Sequence, residues 1–243
     1  MDSSEIKYRR ILLKLSGEAL AGDNKFGIDR KMLSFISKEI ADVQRMGVQI
    51  GIVIGGGNIF RGISGSSEGL DRTTADFMGM LATIINSLAL QNSIEQMGIS
   101  TRVQSAIDID KVAESYILRR AIRHLEKDRI VIFAAGTGSP YFSTDTAAAL
   151  RGAEINAEVI LKATKVDGVY SSDPVIDSNA SKYDQIDYMD ILINDLRVID
   201  STAISMCKEN KIPLIIFNIF EKGNIKRIIT GEHVGTFIRE AKV

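Results

Sequence analysis

The sequence predicts an α/β fold, a three-layer sandwich with helices on both faces of a mostly parallel central sheet. Three observations carry this. Strand-like apolar runs alternate with helical patterns from end to end. The central runs, Val48–Ile54 and Arg129–Ala135, are continuously apolar instead of alternating, as in strands covered on both faces. Several runs end in glycine-rich turns that lead into helices.

In order, Arg10–Gly17 reads as a strand running into a glycine turn, and Gly22–Gly27 as a polar loop. Ile28-Asp29 opens a helical pattern through Met32, Leu33, Ile36, Ile40 and Val43, with Gly47 as its C-cap. Val48–Ile54 is the second strand, and Ile63–Gly69 a Ser/Gly-rich loop. A long helix is expected over Arg72–Met97, apolar nearly all the way round, which marks a central helix or one at a subunit interface, and an interface is favoured. Arg102–Ala106 is a short strand, Ile109–Leu125 a helix and Arg129–Ala135 a third strong strand. A small-residue helix runs from Thr144 or Asp145 to about Ile155, and Glu158–Lys162 is the next strand. Thr164–Tyr170 continues as a turn and short strand, with a polar loop over Ser171–Asp187. Asp195–Asn210 reads as helical, Leu214–Asn218 as a strand, Asn224–Ile229 as a short helix and Thr236–Arg239 as an edge strand. No internal repeat or linker divides the chain. A single domain is expected, with lobes of about 1–157 and 158–243.

Composition narrows the class. The 243 residues are 45% hydrophobic and 25% charged, as in soluble globular proteins. A net charge of −1 gives no basic field for nucleic acid. Cys207 is the one cysteine, so no intrachain disulfide is possible, which fits a reducing compartment. Lys14 breaks the first apolar run before it resembles a signal sequence, and no stretch approaches 18 uncharged apolar residues. A cytoplasmic protein without a membrane span is therefore expected.

In open α/β sheets, ligands bind beyond the carboxyl ends of the strands. Four strand ends here bear unusual residues. Lys14 lies inside an apolar run, followed by Ser16-Gly17. Gly55-Gly56-Gly57, with Asn58 and Arg61, offers bare backbone N–H groups and a cation, which suits a phosphate. Gly136–Asp145 supplies hydroxyls and a carboxylate; Lys162, Thr164, Lys165 and Asp167 follow the next strand. The set suits phosphoryl transfer, which needs positioning and charge neutralisation more than covalent chemistry. Each residue also has a plainer role. Lys14 can snorkel to water, and Asp145 and Asp76 can be first-turn helix residues. Tyr141 and Phe142 can stack on a base or simply cover the core.

Other chemistries fit less well. The dipeptide Gly-Lys never occurs, so there is no P-loop, and there is no Gly-x-Gly-x-x-Gly. His124 and His233 are the only histidines and read as solvated residues near helix ends, against a histidine metal site or a Ser-His-Asp triad.

Five motifs, Lys14–Ala19, Gly55–Gly62, Met78–Thr83, Ala135–Asp145 and Lys162–Tyr170, resemble those of bacterial uridylate (UMP) kinases in the amino acid kinase fold family, in the same order and over essentially the whole chain. The Gly-Thr-Gly-Ser-Pro-Tyr-Phe loop separates that group from carbamate, acetylglutamate and aspartate kinases. The resemblance implies a carbamate kinase-like fold and the reaction UMP + ATP → UDP + ADP, in pyrimidine nucleotide (CTP) biosynthesis, with Mg²⁺ accompanying ATP. It implies catalytic roles for Lys14, Arg61 and Asp145, the last as organiser of the catalytic lysine. It places Lys14, Leu15, Ser16, Gly17, Gly57, Arg61, Thr164, Tyr170 and Asp173 around ATP. It places Gly56, Asp76, Thr137, Gly138, Ser139, Pro140, Tyr141, Phe142, Ser143 and Thr144 around UMP, and leaves Asp200 an acidic position of looser role. No protein metal ligand is implied. The N-terminal lobe would bind UMP and the C-terminal lobe ATP, in a homohexamer inhibited by UTP. Many members are activated by GTP, but Gln91 and Glu95 stand here in place of a basic residue and a histidine, while Arg102 and Arg129 remain. Arg197 replaces the more usual lysine. The alternatives are a non-catalytic nucleotide or anion sensor and a carboxylate or carbamate kinase on the same fold.

Overall fold

A computed structural model describes residues 6–60, 69–172, 176–177, 179–196 and 198–240. The first half runs β1 (Arg10–Leu15), α1 (Gly17–Ala21), α2 (Arg30–Gln44), β2 (Gln49–Ile54), α3 (Arg72–Glu95), β3 (Thr101–Ser105), β4 (Glu114–Ser115), α4 (Leu118–Leu125) and β5 (Ile130–Ala134). The second runs α5 (Thr144–Glu154), β6 (Val159–Thr164), β7 (Val169–Tyr170), β8 (Lys182–Tyr183), β9 (Gln185–Ile186), α6 (Tyr188–Ile193), α7 (Ser201–Glu209), β10 (Leu214–Asn218), α8 (Asn224–Ile229) and β11 (Thr236–Ile238). Helix starts follow the side-chain caps: Asp29 accepts from Met32 N, Asp71 from Thr74 N and Asp200 from Ala203 N.

Nine strands form one sheet in the order β4-β3-β5-β2-β1-β6-β10-β11-β9. The pairs are parallel except β10 with β11. Strands β1, β2, β5 and β6 are almost wholly buried. One apolar cluster, with Ile36, Ile40, Ile84 and Leu90, packs on one face of the sheet. The other, with Ala147, Ala203, Ile204 and Cys207, packs on the opposite face. The three-layer α/β fold is as the apolar runs predict.

Some element predictions need correction. Residues 109–125 are not one helix: Glu114–Ser115 pair with Gln104–Ser105 as a short edge strand, and the helix begins only at Leu118. Residues 195–210 are not continuous either, because Asp200 caps a fresh helix and the preceding turn ends α6 at Ile193. The polar loop over 171–187 contains β8 and β9. Strand β9 lies outside β11, which is therefore not the edge.

Helix α3 is apolar and long enough, by composition, to cross a membrane. Instead Met80, Ile84, Leu90 and Ile94 are buried, and the helix packs on α2, β3 and β5. Its other face exposes Phe77, Met78, Leu81 and Ile85.

Candidate active site

The strand order places β1 between β2 and β6, so three loaded strand ends lie side by side. Gly55 N donates to Leu15 O at 2.9 Å, knitting the first turn to the glycine turn. Lys14 and Lys162 are register partners on adjacent parallel strands and so project to the same face. That face carries the first turn of α5. Lys14 Nζ lies 2.6 Å from Asp145 Oδ1, and Lys162 Nζ 2.5 Å from Asp145 Oδ2. Lys162 Nζ also donates to Val198 O at 2.5 Å. Lys14 therefore does not snorkel to water: its side chain is 10% exposed, and that of Asp145 13%.

Burial alone would raise the Asp145 carboxyl, but Lys14 and Lys162 outweigh it and hold it below the ordinary carboxylate range. For Lys162, burial prevails over the attraction of Asp145 and lowers the ammonium from its usual value. Asp145 is at once a first-turn residue and the partner of both lysines. Ser143 fixes its helix, accepting from the backbone N–H groups of Asp145 and Thr146 at 3.0 and 3.1 Å. Ser143 Oγ donates to Asp200 Oδ2, and Thr146 Oγ1 to Asp200 Oδ1 at 3.0 Å. Asp200 thus ties the starts of α5 and α7 together, a role the sequence left open.

The glycine turn is held from below by a pair of buried asparagines. Asn58 Nδ2 donates to Asn86 Oδ1 at 3.1 Å, and Asn86 Nδ2 to Asn58 Oδ1 at 2.7 Å and Gly55 O at 2.7 Å. Gly56 is needed for packing as well as for any ligand: a Cβ there would stand 2.8 Å from both Gly79 O and Ala82 Cβ of α3. Thr83, also on α3, accepts from Ala135 N at 2.8 Å and so fixes the end of β5. Asn86 and Thr83 were missed as site supports. The available signal was a polar residue buried in an apolar helix.

Beside the turn is a cavity of about 130 Å³, lined by Gly56, Asp76, Thr83, Thr137, Phe142 and Thr144 among others. Asp76 accepts from Arg72 Nε at 2.9 Å and from Tyr141 N at 2.8 Å. Tyr141 (69% exposed) and Phe142 (54%) do not cover the core. In the same loop Gly138 has φ +82, and a Cβ would meet Ala106 O at 2.7 Å, so a side chain is excluded twice over. Ser139 N donates to Thr137 Oγ1 at 3.2 Å. Pro140 and Ser143 complete the loop without lining the cavity.

A larger cavity, about 440 Å³, opens on the other side of Asp145, lined by Lys162, Ile191, Leu192, Asp195, Leu196, Val198, Ile199, Asp200 and Ser201. Of the described residues assigned to catalysis or ATP, only Asp145 lines it. Thr164 and Tyr170 lie away from both cavities: Thr164 Oγ1 donates to Val166 O at 2.7 Å, and Tyr170 OH to Asp167 Oδ1 at 2.7 Å. Arg61, Asp173, Arg197 and nearly all of the Ile63–Gly69 loop lie outside the described residues.

A second charged group occupies the β3–β4 edge. Arg102 Nη1 lies 3.4 Å from Glu95 Oε1, and its Nε 4.0 Å from Glu114 Oε1. Gln91 Nε2 donates to Thr101 O at 3.1 Å. Arg129 Nη1 donates to His124 Nδ1 at 3.1 Å, which leaves Nε2–H to donate to Glu114 Oε2, also at 3.1 Å. Burial opposes the Glu114 carboxylate, but hydrogen bonds from Gln104 and His124 hold it below its ordinary range. His124 is therefore buried and bonded, contrary to the solvated residue expected; His233 is exposed.

Comparison with known proteins agrees with this fold. Residues 9–218 match the model of the amino acid kinase family. The structure of UMP kinase from Bacillus anthracis superposes with a TM-score of 0.94 at 40% identity, covering 97% of each chain. UMP kinase from Ureaplasma parvum gives 0.90 at 38% identity, over 97% of this chain and 100% of that one. Uridylate kinase from Archaeoglobus fulgidus gives 0.73 at 29% identity, over 94% and 99%. The chain belongs to the amino acid kinase family, and resembles that family's UMP kinases over nearly its whole length.

Proposed function

We propose that the chain is a UMP kinase, transferring the γ-phosphoryl group of ATP to UMP to give UDP and ADP in pyrimidine nucleotide biosynthesis. The observation that carries this is the buried Lys14–Asp145–Lys162 group at the ends of β1 and β6, beside the glycine turn and the Thr137–Thr144 loop. UMP lies on the α3 side, its phosphate toward Gly56, its ribose on Asp76 and its base against the Thr137–Thr144 loop. Ribose hydroxyls replace Arg72 as partners of the Asp76 carboxylate. ATP comes from the β6 side, in the C-terminal lobe, with Thr164, Tyr170 and Asp173 at its adenosine and Leu15–Gly17, Gly57 and Arg61 at its phosphates.

A UMP phosphate oxygen attacks the γ-phosphorus as the bond to the β-phosphate bridging oxygen breaks. The Lys14 ammonium follows the migrating charge, an interaction strongest in the transition state. Asp145 keeps Lys14 charged and aimed. Among the described residues no group of three or more His, Cys, Asp or Glu side chains is placed to hold a metal. Mg²⁺ accompanying ATP would neutralise phosphate charge when bound.

The exposed Phe77, Met78, Leu81 and Ile85 of α3 are read as the dimer face from which a homohexamer is built. UTP is read as a feedback inhibitor, and the protein as cytoplasmic. An ADP-release assay over UMP, CMP, dTMP, AMP, carbamate and acetylglutamate tests the function. Preference for UMP is the expected result, and no such preference would refute the proposal.

A further inference from the structure

We infer that Lys162 is a positioning residue for phosphoryl transfer, holding Asp145 from the side opposite Lys14 so that Lys14 stays free to meet the substrate. Three facts point to this. The two lysines are register partners on adjacent strands, so they enter the site side by side. Each takes a different oxygen of the same carboxylate, at 2.6 and 2.5 Å. Lys162 is anchored a second time, on Val198 O, and so joins β6, α5 and the segment before α7.

Charge explains why one lysine is not enough. A lone Lys14–Asp145 pair is neutral, and its ammonium is committed to the carboxylate. With Lys162 sharing that carboxylate, the group carries one net positive charge beside the incoming phosphates. Asp200 also attracts Lys162, its oxygens held by Ser143, Thr146 and Ala203 N, and its charge offsets part of that surplus. Among the described residues, Asp145, Lys14 and Asp200 act on Lys162 electrostatically, and Asp195 lines the same cavity.

The inference rests on the kinase reading and is tested in the same assay, by following kcat and the KM for UMP against pH in wild type, Lys162→Met and Lys162→Arg. Lys162→Met is expected to lower kcat by roughly 10–100-fold, less than the roughly 10²–10³-fold of losing a group that meets the transition state itself, since Lys162 acts through Asp145. Its KM for UMP should stay within about three-fold, since Lys162 acts through Asp145 and not on UMP. Wild type should lose kcat as alkaline pH deprotonates Lys162. That alkaline limb should move to higher pH in Lys162→Arg, whose guanidinium stays charged. Two results overturn the inference: Lys162→Met with kcat within about two-fold of wild type, or Lys162→Arg with the alkaline limb unmoved, whether or not Lys162→Met folds. A wild-type chain that consumes no ATP with UMP sinks the kinase reading and this role together. An active wild type with an indifferent Lys162→Met sinks this role alone.

Discussion

Two charged clusters in this molecule solve opposite problems. At the ends of β1 and β6, two lysines share one carboxylate in a site where all three side chains are 13% exposed or less. At the β3–β4 edge, Arg102 faces Glu95 and Glu114, Arg129 reaches Glu114 through His124, and Arg102, Glu95 and Glu114 are each more than 30% exposed. The first cluster is dry, with two lysines on one carboxylate and Asp200 acting on Lys162 as well, so the charges in it are little screened. The second is wet and balanced, and water screens what field remains. Cations alone therefore do not make an anion site; the count of cations against carboxylates, and the depth at which they sit, decide it.

The sharpest way to break the contrast is to unbalance the buried cluster. Asp145→Asn leaves two buried ammonium groups without their carboxylate and should cost roughly 3–5 kcal/mol in chemical denaturation. Because the folded-state carboxyl lies below its ordinary value, its contribution is fully present above the ordinary carboxylate range. It disappears as pH falls through the lowered value, so Asp145→Asn should lack that part of the acid destabilisation. Unfolding curves that coincide with wild type at neutral pH would mean that the cluster is not held by charge.

Next in size is Lys14→Ala, expected to lower kcat by roughly 10²–10³-fold with a smaller change in UMP affinity. Turnover equal to wild type would remove Lys14 from the chemistry. Asp76→Asn probes the acceptor side, where a raised KM for UMP of about 10-fold is expected with kcat little changed, as for a lost charged hydrogen bond. An unaltered KM would leave Asp76 as a partner of Arg72 and Tyr141 only. The smallest effect concerns the balanced cluster. GTP titrated at subsaturating ATP should change the rate by less than about two-fold, since Glu95 and Glu114 already occupy Arg102. Robust activation would show that a nucleotide can outcompete those glutamates.

Much of this was legible in the sequence, for physical reasons. Strands buried on both faces must be apolar throughout, so β2 and β5 announced the parallel sheet. Asp29 marked a helix start because a cap is a local interaction. Failures came where local pattern and sheet geometry disagreed. The apolar spacing over 109–125 is helical, yet β3 offers an open edge that Glu114–Ser115 fill. The spacing of Leu196, Ile199, Ala203 and Cys207 carries straight through the point where Asp200 caps α7. The glycine turn reads from sequence as a candidate phosphate cradle, whereas its role as a packing joint with α3 was hidden, since nothing local shows that Gly79 O lies over Gly56. Lys14 and Asp145 stood out by position. That Lys162 shares their carboxylate depends on β6 lying beside β1, which only the strand order reveals.

The pairing of Lys14 with Lys162 has a consequence for how this protein can fail. Side chains alternate along a strand, so a slip of one residue between β1 and β6 would turn Lys162 to the opposite face and bring Leu161 or Ala163 to Asp145. Alignment of these two strands is thus a setting of the machine, like the phase of one gear against another. Substitutions among Ile11, Leu13, Val159 and Leu161, all buried in the sheet and none assigned to a nucleotide, can disable the protein by mistiming that phase while leaving it folded.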